Sequence, residues 1–170
     1  MNKPFSKDDV ASDWESFVCN VNDVIASVFV DLSLQHVAPI ADYPVLAWLF
    51  IRLHQPKGDG PSKGLSQDSE FAALCKYEDD VMLAVSQHDD CVYVGRITTS
   101  GMRQFYFFIA ENTDFKSMID KVLRKHQDYQ FQVGQQPDTP WNQYLNLLLP
   151  GENGWDQINR RRAEREASDA

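Results

Sequence analysis

Glu78 and Arg96 are the residues of this 170-residue chain whose surroundings most demand a chemical explanation. In a helix that advances about 100° per residue, Glu78 falls in the middle of the apolar stripe Phe71, Leu74, Cys75, Val81, Met82 and Val85. An ionised carboxylate in such a place is costly unless it is paired. Arg96 is the expected partner, because alternation along Val92, Val94 and Arg96 turns it toward the core side of a strand. With Asp79 beside Glu78, two chemistries are open. One is an internal ion pair that fixes how the helix sits on the sheet. The other is a pocket of carboxylates and guanidinium holding a small ligand, as in a sensor or an enzyme.

Other reactive patterns are incomplete. The loop Lys57-Gly58-Asp59-Gly60-Pro61-Ser62-Lys63-Gly64 lies between a strand and a helix, but lacks the Gly-Lys-Ser/Thr ending of a phosphate loop. His88, Asp89, Asp90 and Cys91 are consecutive, too close together to surround one ion, so no metal is expected. His36, His54 and His126 have no Ser or Cys partner in sight for nucleophilic catalysis. No cofactor is expected. The three cysteines, Cys19, Cys75 and Cys91, are odd in number and form no CxxC pair, which reads as reduced thiols in the cytoplasm. The first fifteen residues, MNKPFSKDDVASDWE, lack the apolar stretch of a signal peptide. Val45 to Ile51, the longest apolar run, is too short to span a bilayer, so no membrane contact is expected.

The elements that must position these residues follow from periodicity. Trp14 to Val21 reads as an edge strand, turning at Asn22-Asp23 into a strand from Val24 to Leu34. A strand from Val45 to His54 precedes the breaker-rich loop, and a helix runs from about Ser66 to Gln87. Cys91 to Thr99 and Met102 to Ala110 form a hairpin through Ser100-Gly101, which pairs Arg96 with Phe105, Gly95 with Tyr106 and Val94 with Phe107. A helix with the stripe Phe115, Met118, Ile119, Val122 and Leu123 follows, then a strand from Tyr129 to Val133. A last helix begins at Thr139-Pro140 and carries Trp141, Tyr144, Leu145 and Leu148. The expected fold is α+β: an antiparallel sheet with helices packed on one face, in a ferredoxin-like ββαββαβα order. Residues 1–13 are expected to be a flexible N-terminus, 14–150 a single domain, and 151–170 a polar tail.

At this point the residues have a likeness. The stretch QPKGDGPSKGLSQDSEFAALCKYEDD followed by VYVGRITTSGMRQFYFF resembles the bacterial domain-of-unknown-function family six-nine-five, over Val24 to Leu149. Gly64-Leu65, Glu78-Asp79 and Gly95-Arg96 are the features that carry it. That family is in turn similar to the regulator of ribonuclease E activity B, a small acidic protein that works by binding. The resemblance implies a regulatory, contact-making role.

The contact surface is expected on the sheet. Alternation places Phe29, Trp48, Phe50, Tyr93, Tyr106 and Phe108 on one side, with Arg52 among them. With the helices on the aliphatic side, this ring-rich face is left to terminal segments, a second subunit of a homodimer, or a partner. Rings on a sheet also suit single-stranded RNA, but a net charge of −9 repels phosphate, which argues against nucleic acid. Arg160, Arg161 and Arg162 are diluted by Glu164, Glu166 and Asp169 and read as a solvated face. An acidic body favours a basic protein partner. The sequence therefore points to a non-enzymatic regulatory or protein-interaction module; the alternative is a small-ligand sensor or enzyme with a Glu78/Asp79/Arg96 pocket.

Overall fold

The computed structural model of the chain describes residues 5–170. Six strands form one sheet: β1 (Trp14–Val21), β2 (Val24–Asp31), β3 (Val45–Arg52), β4 (Cys91–Thr99), β5 (Met102–Ile109) and β6 (Phe131–Pro137). Their lateral order is β1-β2-β4-β5-β3-β6, and every neighbouring pair is antiparallel. Helices α1 (Phe71–Ser86) and α2 (Phe115–Lys125) lie between strands; a π-helical segment, Gln143–Leu148, and α3 (Glu152–Ser168) end the chain. The fold is α+β. Its chain order differs from ββαββαβα, because residues 14–21 make a full edge strand and the last residues a further helix.

Local chemistry explains the hairpins. Asn22 and Asp23 both have positive φ, 51° and 64°, as do Ser100 and Gly101 at 52° and 76°. Two left-handed residues in succession give the backbone twist that joins right-twisted antiparallel strands. Gly95 is required by close approach: a Cβ there would stand 2.6 Å from the Phe29 carbonyl oxygen of β2.

The expectation that helices cover one face is overturned. One core, on the face under α1 and α2, holds Ala47, Leu49 and Ile51 of β3 with Leu74, Tyr77, Val81, Ile119 and Leu123. A second core, on the opposite face, holds Ala26, Val28 and Val30 of β2 with Trp141, Tyr144, Leu148 and Ile158 from the C-terminal segments. The aliphatic rows of β2 and β3 thus point to opposite faces. These strands are not neighbours: Val28 faces Ile97 of β4, Ile97 faces Gln104 of β5 and Gln104 faces Phe50 of β3, so the register puts the aliphatic row of β2 on the face of Phe50 and Trp48, opposite to Leu49 and Ile51. The six aromatics expected on one side are split between the two faces, Phe29 by strand register and Tyr93 by a bulge in β4 between Tyr93 and Gly95. Trp48, Phe50, Tyr106 and Phe108 belong to the C-terminal face, whereas Tyr93 packs in the core under α1 and α2, and Phe29 pairs across the sheet with Arg96.

The termini are also more ordered than their composition suggests. Residues 1–4 of the expected flexible N-terminus lie outside the described residues. Phe5 packs edge-on against Tyr43, and Lys7 pairs with the buried Asp31. The polar tail is α3, docked on β1 through Ile158 and through Glu15, which accepts from Arg162 at 3.0 Å and Arg165 at 2.6 Å. Two of the three arginines read as solvated, Arg161 and Arg162, belong to this cluster. On the C-terminal face the Trp141 ring stacks 4.0 Å from Phe108 and donates its indole N–H to the Tyr43 carbonyl at 2.8 Å. A ring stack with a satisfied N–H is the arrangement in which a large aromatic is buried at no polar cost.

Candidate functional site

α1 buries Leu74, Tyr77, Val81 and Val85, so Glu78 sits at the margin of the stripe and Phe71 is exposed. The middle of the stripe belongs to Tyr77, a half-polar residue that hydrophobic spacing passes over. From the margin, Glu78 reaches the sheet. Arg96 donates its Nε to both Glu78 oxygens, at 2.9 and 3.1 Å, and the Tyr93 hydroxyl donates to Oε1 at 3.1 Å. The side chains of Arg96 and Glu78 are 19% and 14% exposed. Arg96 reaches this side because the bulge turns it away from Val92 and Val94, which face the other core.

These contacts close on themselves. The Arg96 guanidinium lies 4.8 Å from the Phe29 ring centre; Phe29 stacks on Trp14 at 4.8 Å and Trp14 on Tyr93 at 5.1 Å. Tyr93 then returns to Glu78. Burial first, then the Glu78 charge, pushes the Tyr93 phenol well above its ordinary range. Asp79 takes no place in this ring and is exposed. A carboxylate held by a guanidinium and a phenol has little capacity left for a ligand or a proton in flight, so the arrangement acts as a clasp between α1 and the sheet.

Sequence reasoning missed two buried charged residues, Arg103 behind the clasp and Glu70 at the start of α1. Arg103 is buried, donates Nε to Thr98 at 3.1 Å, and has Nη1 3.9 Å from Glu78 Oε2 without a hydrogen-bond partner among the described residues. Burial, then the neighbouring Arg96 charge, lowers its pKa to about 10. Alternation with Phe105, Phe107 and Ile109 was the signal for it. Glu70 is buried and accepts from the His54 N–H at 2.8 Å, the Tyr129 hydroxyl at 2.8 Å and the Gln55 N–H at 3.2 Å. Desolvation raises the Glu70 carboxyl, but these three donors outweigh it and hold the group below its ordinary value. Only contacts distant in sequence reveal this role.

Of the ring-rich face, Tyr106 and Phe108 are buried, Trp48 and Phe50 are half-buried, and Arg52 is exposed. The Trp48 indole lies over Gly134 of β6, where any Cβ would collide with it. This face is therefore largely covered by the chain's own C-terminal segments.

A second set of rings, Tyr43 and Tyr93 buried and Phe5 and Trp14 half-buried, borders a cleft elsewhere. The cleft, of about 800 Å³, runs between the N-terminal residues, the end of α1 and the start of β4. Its rings are Phe5, Trp14, Tyr43 and Tyr93, and its carboxylates are Asp8, Asp42, Asp89 and Asp90. The basic groups among its described lining are Lys7, already paired with Asp31, and His88. Tyr43 donates its hydroxyl to the Asp89 carbonyl at 2.8 Å; burial, then the Asp42 and Asp89 charges, raises its pKa. Trp14 and Tyr93 belong both to the clasp and to the cleft wall, so Glu78 and Arg96 stand one layer behind the open surface. Among the described residues no group of three or more His, Cys, Asp or Glu is placed to hold a metal, and no helix is long and apolar enough to cross a membrane.

Compared with known protein families, the chain matches a family of unknown function (DUF695) over residues 12–149. No curated protein and no solved structure matches the chain.

Proposed function

The chain belongs to this family of unknown function, and on that premise we propose that it is a non-enzymatic protein-interaction module that takes a basic segment of a partner protein into the cleft beside Tyr43 and Trp14. The observation that carries the reading is the lining itself. Four carboxylates, Asp8, Asp42, Asp89 and Asp90, stand around the half-buried rings of Phe5 and Trp14 in a chain of net charge −9, and Asp42 and Asp90 each keep an oxygen beyond the one that accepts from the Phe5 N–H and from Thr113. Carboxylates supply attraction and orientation for arginine or lysine, and ring faces attract the same cations at short range. The groups best suited to acid–base chemistry support the same reading, since they are tied to fixed partners. Glu78 is held by Arg96, Glu70 by Tyr129, and Asp80 meets His126 at 2.7 Å. A ligand-sensing role for Glu78, Asp79 and Arg96 has less support, because Asp79 is apart from the pair.

The test is calorimetric titration with an arginine-rich peptide at low and moderate salt. Saturable binding that Asp42→Asn with Asp89→Asn weakens by about tenfold, and that salt also weakens, is the expected result. Absence of binding at low salt, or binding indifferent to both substitutions, overturns the proposal.

A further inference from the structure

The two edges of the sheet are finished differently. At β1 the Leu32 N–H donates to the Asp13 carbonyl, so the odd-numbered residues bond to β2, and Ser16 and Val18 turn their backbone groups outward. α3 meets them there. The Val18 N–H donates to Gln157 Oε1 at 2.9 Å, Gln157 Nε2 donates to the Val18 carbonyl at 2.8 Å, and Arg161 donates to the Ser16 carbonyl. At β6 the Arg52 N–H donates to Gln130 at 3.0 Å and the Asp138 N–H to Pro44 at 2.9 Å, so the even-numbered residues bond to β3. Phe131, Val133 and Gln135 therefore aim their N–H and C=O groups away from the sheet. Among the described residues no strand lies beyond them.

The chemistry of this edge invites pairing. Residues 130–137, QFQVGQQP, carry no charge in a chain that is 24% charged, and Phe131 is 43% exposed. Open edges are usually blunted by lysines, bulges or a covering segment; here the one such device is Pro137 at the strand's end.

We propose that β6 pairs antiparallel with β6 of a second copy, about a two-fold axis at Val133, joining the two sheets into one. In that register Val133 meets the second copy's Val133, and Phe131 meets the second copy's Gln135. Every outward N–H and C=O of these residues then has a partner, each facing pair exchanging two bonds. The strand is self-complementary in this register, which is what a symmetric interface requires. Its neutrality brings two chains of −9 together where their local charge is least. The inference goes beyond the proposed function and does not depend on the cleft.

Sedimentation of the full chain over a range of concentrations, combined with amide hydrogen exchange, tests it. The mass should rise from 19.5 kDa toward twice that value, more readily at higher salt, and the amides of Phe131, Val133 and Gln135 should slow in step. Val133→Pro deletes an outward N–H and leaves the β3–β6 bonds in place; it should weaken dimerisation about tenfold or more at an unchanged circular dichroism spectrum. The exchange measurement uses the unsubstituted chain, so it decides even where the variant folds poorly. A chain that stays monomeric overturns the proposal, as does a dimer that survives Val133→Pro or leaves those three amides unprotected. An edge occupied by another protein's extended peptide while the chain remains monomeric also overturns it.

Discussion

Arg96 and Glu78, separated by 18 positions in the chain, meet through a forked contact in which one arginine Nε lies 2.9 and 3.1 Å from the two carboxylate oxygens. The pair joins α1 to β4 across the boundary between helix layer and sheet. Its surroundings give it more weight than a surface pair: Tyr93 donates to the same carboxylate, Arg103 stands behind it, and Phe29 covers the guanidinium. Removing one member therefore disturbs the rest.

Glu78→Ala leaves the Tyr93 hydroxyl without its acceptor and two arginines without a counter-charge. It should destabilise the chain by about 3 kcal/mol, the low end for breaking a buried pair because both side chains keep some solvent contact. Glu78→Gln keeps an acceptor for Tyr93 and should cost about half as much. Urea unfolding of these variants and of Arg96→Met, combined in a double-mutant cycle, checks this; a coupling near zero between positions 78 and 96 contradicts the clasp.

Tyr77 gives the opposite sign. Its ring is fully buried between Phe105, His126 and Tyr129, and its hydroxyl is buried without a hydrogen-bond partner among the described residues. Burial, then the Asp128 charge, pushes the phenol up to about 12. Tyr77→Phe removes an uncompensated polar atom and keeps the ring. Thermal and urea unfolding should show stability unchanged or raised by up to about 1 kcal/mol.

Much of this architecture was legible in the residues. The Asn22-Asp23 and Ser100-Gly101 turns and the register of Arg96 with Phe105 and Gly95 with Tyr106 follow from local pattern, although Tyr93 and not Val94 faces Phe107. Glu78 does meet Arg96, but not by the alternation with Val92 and Val94 that suggested it, since the bulge turns Arg96 to the other face. The sidedness of the sheet does not follow from local pattern. Which face the β2 row takes depends on its register through β4 and β5 to β3, which no local spacing records, and the face of Arg96 depends on a bulge that leaves no mark on the spacing of Val92, Val94 and Arg96. Trp141, Tyr144 and Leu148 announce an apolar stripe but not the face it covers. The roles of Gln157 and Arg161 are invisible locally, since both act on backbone groups of β1 far away in the chain.

Acid should unfold the chain through a small set of buried carboxylates. At Asp31, desolvation raises the carboxyl, but Lys7, Ser33 and the Asp13 N–H together hold it below its ordinary value; Glu70 is lowered by the donors given above. A carboxylate with a lowered folded pKa binds protons more readily when unfolded. The stability it contributes is thus present above the ordinary carboxylate range and lost as pH falls through the folded value. Melting temperature should fall between about pH 5 and pH 3. Glu70→Gln should melt lower at neutral pH and show a shallower fall, because one of the titrating groups is gone.

α3 has a task that its composition hides, and deleting residues 151–170 exposes it. The deletion uncovers Phe17, removes Ile158 from the second core, and strips the Gln157 and Arg161 contacts from β1. Glu15 loses its three arginines and is left facing solvent at the edge strand. Loss of the apolar contacts alone should cost about 3 kcal/mol, and the unpaired β1 edge should recruit other chains. The truncated chain should therefore melt lower and form assemblies larger than a dimer, seen by light scattering, because each chain then has two open edges, and Val133→Pro should cut them back to pairs joined through β1. Gln157→Ala in the full chain isolates the edge effect: it removes the bonds to Val18 while keeping the helix, and should cost about 1 kcal/mol and speed exchange of the Val18 amide.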